Sequence, residues 1–71
     1  MNRHLIETIY NKNITELYIS FNQVPADGSC TKEEWMNLHL QCAENKFCMT
    51  AGEFITNVNN YILIIASQKN D

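Results

Sequence analysis

A chain of 71 residues with a formal net charge of −3 has room for one domain, and it is too weakly and evenly charged to grip nucleic acid or to imitate it. Apolar residues make up 45% of the chain and charged ones 18%, which excludes intrinsic disorder and leaves a surface short of the usual ~25% charge. The five basic residues, Arg3, Lys12, Lys32, Lys46 and Lys69, are scattered singly, so near neighbours in sequence assemble no basic patch of the kind that displaces counterions from phosphates.

The first predicted element is a helix over Arg3–Asn22. Leu5, Ile6, Ile9, Tyr10, Ile14, Leu17, Tyr18 and Phe21 recur in steps that mark one amphipathic stripe. Asn11-Lys12-Asn13 is its weak point, polar and poor in helix propensity, where the helix would kink or break. A rival reading makes residues 15–24 a strand, because Leu17, Ile19 and Phe21 alternate with Tyr18, Ser20 and Asn22. Helix is favoured because the three-four spacing runs on from Leu5. The sequon Asn13-Ile14-Thr15 matters only in a secreted protein. Met1-Asn2-Arg3-His4 leads into no apolar leader core, so the expected compartment is the cytoplasm. Three cysteines, an odd number, suit reduced thiols there.

Val24-Pro25-Ala26-Asp27-Gly28-Ser29 is the strongest punctuation in the chain and reads as a loop. Asp27 to Trp35 resembles the back half of an EF-hand loop, with Gly28 at the turn and Glu34 in the bidentate place. Gln23 and Pro25 stand where the first two carboxylates belong, and Cys30 replaces a branched aliphatic. A calcium ion needs six to eight oxygens, as a general rule, so this stretch reads instead as a loop that runs into a helix cap.

Two helix starts look alike. Thr31 precedes Glu34, and Thr50 precedes Glu53, by the spacing of a capping box, with an aromatic residue following each time. They predict a second helix over Lys32–Glu44 and a third over Ala51–Ser67. The second carries Trp35, Leu38, His39 and Cys42 on one face and Met36, Leu40 and Ala43 on the next. The third carries Phe54, Ile55, Val58, Tyr61, Ile62 and Ile65 as a core stripe, with Leu63 and Ile64 outside it. Tyr61–Ala66 is the longest apolar run, far short of the roughly 20 residues that span a bilayer. Its alternative reading is a buried strand. The expected fold is an all-α, three-helix single domain; the alternative is α+β with strands near 15–24 and 61–66.

Four side chains have the right types for a tetrahedral zinc site: Cys30, His39, Cys42 and Cys48. Their gaps are irregular and include no short Cys-x-x-Cys pair, and free cysteine behaves as a small buried hydrophobe. No metal or other cofactor is therefore expected, and a zinc module is the alternative. His39 and Cys42 are the only nearby base and nucleophile in sequence, and the two glycines, Gly28 and Gly52, form no phosphate loop. Glu33, Glu34 and Glu53 serve helix starts. A helix-turn-helix reader of DNA is set aside because no Lys or Arg lies between Lys46 and Lys69. The expected function is thus non-enzymatic: a small regulatory or adaptor protein that binds another protein through hydrophobic helix surfaces, as a homodimer. Tyr61, Leu63 and Ile64 are the expected contact residues, joined by Trp35 and Phe54.

Overall fold

A computed structural model describes residues 3–69. The domain is all-α, with α1 over Arg3–Tyr10, α2 over Ile14–Ser20, α3 over Lys32–Phe47 and α4 over Ala51–Lys69. Neither stretch offered as a strand is one: residues 14–20 are helical, and 61–66 lie inside α4.

The first expected helix is two helices, and the break has a local cause. Asn13 opens a capping box, its side-chain oxygen accepting the Glu16 amide at 2.8 Å while the Glu16 carboxylate accepts the Asn13 amide at 3.0 Å. A capped start at residue 13 ends whatever helix comes before it. The apolar spacing carries on across the joint because both short helices turn the same face to one core, with Ile9 and Leu17 fully buried.

The two threonine caps form as their spacing requires. Thr31 Oγ1 accepts the Glu34 amide at 3.1 Å, and Thr50 Oγ1 accepts the Glu53 amide at 3.2 Å. Both glutamates reach back to the threonine amides. The second expected helix runs past Glu44 to Phe47, where Cys48 takes a left-handed conformation, φ 56°. That turn lets the Cys48 and Met49 amides both reach the Ala43 carbonyl. At the far end of α3, the loop from residue 21 holds Gly28 at φ 78° and the Ser29 amide on the Asp27 carboxylate.

The core is built from Ile9, Leu17, Phe21, Trp35, Leu38, Cys42, Ala43, Phe54 and Val58. α3 is the central element and packs against the other three helices, while α2 and α4 also touch. The expected core stripe of α4 is only partly used. Phe54 and Val58 are buried, Tyr61 and Ile65 are half-buried, and Ile55 and Ile62 remain 41% and 43% exposed. Ile55 and Ile62 are seven residues apart and so share one flank of the helix, roughly 100° round from Phe54. The 19 residues of α4, roughly 29 Å, also outreach the seven of α2. The domain is accordingly elongated, 41 × 29 × 19 Å.

Candidate functional site

Past Val58, no described residue of α4 is buried. Tyr61 still meets the body, its ring 6.1 Å from that of Tyr18 on α2. Tyr18 is itself fixed by Phe54 at 5.4 Å and by the Asn57 amide, which donates to its hydroxyl. The following residues leave the body. Leu63 is 67% exposed and Ile64 55%. Successive residues of a helix turn by about 100°, so Leu63 points opposite the face made by Phe54, Val58, Tyr61 and Ile65, with Ile62 and Ile64 on its two flanks. Two turns of helix therefore present apolar side chains around most of their circumference. From Phe54 to Gln68 the helix carries no charged residue.

Of the five expected contact residues, Leu63 and Ile64 are at the surface and Tyr61 is at its edge. Trp35 and Phe54 are in the core, where Phe54 packs edge-on against Phe21 at 5.3 Å and Trp35 lies 4.8 Å from the His39 ring. Those two sides of helix that periodicity offers equally to core and partner belong to the core. No protein-family model, curated protein or solved structure matches the chain.

The zinc-type residues have four different settings. Cys42 is fully buried, its thiol against the Ile9 carbonyl at 3.9 Å. Cys30 is half-buried and Cys48 exposed. Burial pushes both the Cys30 and Cys42 thiols above their ordinary pKa, with Glu34 adding to the effect at Cys30. Among the described residues, no group of three or more His, Cys, Asp or Glu side chains is placed to hold a metal ion. In the EF-hand-like stretch, Asp27 accepts the Ser29 amide and Glu34 closes the cap on Thr31.

His39 has a partner that sequence spacing did not offer. Its Nε2 lies 2.7 Å from Ser20 Oγ, and its Nδ1 2.8 Å from the Trp35 carbonyl. A carbonyl only accepts, so Nδ1 carries the proton and neutral Nε2 accepts from the Ser20 hydroxyl. The Trp35 indole Nε1–H closes the circuit by donating to the Ser20 carbonyl at 2.8 Å. Three side chains thus tie the end of α2 to α3. Hydroxyl and imidazole stand at the spacing of a nucleophile and its base, but both are buried, and the Phe21 and Trp35 rings flank the imidazole. The arrangement is a clamp between helices. Its sequence signal was Ser20 itself, a polar residue three after Leu17 and next to Phe21, inside the apolar stripe.

Proposed function

We propose that this chain is a small, non-enzymatic regulatory or adaptor protein that binds another protein through the distal half of α4, and that its first partner is a second copy of itself. The observation that carries this is the exposure of Leu63 and Ile64, 67% and 55%, on a helix with no charge from Phe54 to Gln68. Contiguous apolar surface rimmed by polar residues marks interaction sites in proteins generally. Asn59, Asn60, Ser67 and Gln68 supply such a rim here. No helix among the described residues is long and apolar enough to cross a membrane, and the proposed setting is the cytoplasm.

Magnitudes favour a reversible contact. Full burial of a Leu or Ile contributes about 1.5–3 kcal/mol. Scaled to their exposures, Leu63 and Ile64 from two chains contribute roughly 4–7 kcal/mol, and the flanking Ile55 and Ile62 roughly 3–5 more. Association costs roughly 4–15 kcal/mol, so the ridge needs its flanks, and a two-fold contact that uses each patch twice is the commonest solution.

Sedimentation of the native chain from micromolar to millimolar concentration tests the proposal, beside a Leu63→Glu/Ile64→Glu double variant. A native dimer and a folded monomeric variant are expected. A native chain that stays monomeric throughout refutes self-association, and a variant that unfolds refutes the surface role of the two residues.

A further inference from the structure

The interior holds a buried imidazole that the proposed binding face does not use. His39 is fully buried and joins α3 to α2 through Nε2, which meets Ser20, while Nδ1 is held by the Trp35 carbonyl one turn back in α3 itself. We propose that the Ser20–His39–Trp35 circuit is an acid-sensitive latch: neutral His39 holds the end of α2 against α3, and a proton on the ring releases it.

For a neutral ring the geometry admits one tautomer. With Nδ1–H given to the Trp35 carbonyl, Nε2 must offer a lone pair to the Ser20 hydroxyl. A second proton, on Nε2, turns that acceptor into a donor, so Ser20 Oγ must reverse its role and find a new acceptor for its own hydrogen. The same proton places a full charge between the Phe21 and Trp35 rings, and burying an unpaired charge is costly. The surroundings offer no relief. On α2 the ring faces Ser20 and Phe21, and on α3 Trp35, with the neutral Cys42 thiol one turn further on. α4 brings Phe54 and Val58 to the same core. The charge that reaches the ring is Lys12, between α1 and α2, and its sign opposes protonation. The carboxylates are turned elsewhere: Glu16 to Asn13, Glu34 to Thr31 and Glu53 to Thr50, while Glu7, Glu33 and Glu44 are exposed.

Burial, the first cause, and Lys12 together hold the His39 pKa below its ordinary value, against the opposing pull of the Trp35 carbonyl. The unfolded ring takes its proton near pH 6.5, the usual value for histidine. Stability from the latch is therefore complete above that pH, and it falls as the pH drops from there toward the folded ring's lower pKa. Trp35, the chain's single tryptophan, sits in the circuit and reports on it.

Imidazole nitrogen NMR and Trp35 emission, followed together from pH of about 7.5 to 5, test the latch on the native chain. His4→Gln assigns the signals by removing the other imidazole. The expected results are an Nδ1–H tautomer at neutral pH, a ring that resists protonation below the ordinary value, and native Trp35 emission lost in step with its protonation. The urea midpoint falls across the same interval, and His39→Gln loses that dependence. An Nε2–H tautomer, or a ring that gains its proton at or above the ordinary pKa with Trp35 emission unchanged, overturns the proposal. Should His39→Gln fail to fold, the NMR titration of the native chain decides alone.

Discussion

The Lys46 ammonium of α3 donates to the carbonyl of Tyr10, the last residue of α1, and to that of Lys12 at 3.2 Å. One cation thus satisfies two carbonyls at a helix C-terminus, where the dipole favours positive charge. Asn45 beside it donates to the Tyr10 hydroxyl. Lys46→Met keeps the aliphatic stem and removes the donor. Because the group is exposed, the expected loss is modest, about 0.5–1 kcal/mol. Amide exchange should rise first in α1; equal acceleration across all four helices would assign Lys46 to global stability instead.

Asn13 is the joint's other determinant. Asn13→Ala removes the side-chain acceptor for the Glu16 amide and should cost about 1 kcal/mol. Asn13→Ser should recover most of that. Urea midpoints at constant m-value measure both.

Glu34 and Glu53 have carboxyls held below their ordinary pKa, first by the threonine amides they cap and then by the threonine hydroxyls. A depressed carboxyl stabilises the fold above its unfolded pKa, about 4.3, and that contribution is lost as pH falls through the folded value. Glu34→Gln and Glu53→Gln should therefore flatten the acid limb of the stability curve below about pH 4.3 while leaving the histidine-dependent region unchanged. An acid limb identical to that of the native chain would show the caps to be energetically silent.

Cys48 adopts φ 56°, a conformation that costs an L-residue roughly 1–2 kcal/mol. Glycine relieves the strain but loses more freedom on folding, so Cys48→Gly should stabilise by a few tenths to about 1 kcal/mol. A lower thermal midpoint would mean that the exposed thiol makes a contact worth more than the strain.

Phe54 and Leu63 lie on one helix in opposite environments. Phe54→Ala opens a cavity and should cost about 3–5 kcal/mol. Leu63→Ala should change the folding of the monomer by less than about 0.5 kcal/mol and weaken self-association instead. Equal effects on folding would place Leu63 inside.

Much of the fold was legible because it is encoded locally. Thr31 with Glu34, and Thr50 with Glu53, are complete instructions within four residues, and Pro25 with Gly28 marks the loop beyond dispute. Asn13 with Glu16 is the same instruction, but it stands inside an unbroken apolar stripe, and the stripe suggested one helix where two share a core. The exposed Leu63 and Ile64 followed from periodicity. Ile55 and Ile62 did not, because steps of three and four span a wide arc of the helix and say nothing of how much of that arc the neighbouring helices cover. The Ser20–His39 contact joins residues 19 apart in sequence, and no spacing rule brings together groups that meet only when two helices pack.

The uncharged length of α4 has a consequence for how any contact made by it would behave. Charged pairs across an interface set its orientation and exclude wrong partners. A helix that from Asn59 to Gln68 offers only Asn, Tyr, Ile, Leu, Ala, Ser and Gln has no charge with which to choose. Association through it should be indifferent to ionic strength, should tighten on warming from the cold as apolar hydration grows less favourable, and should admit more than one alignment of the paired helices.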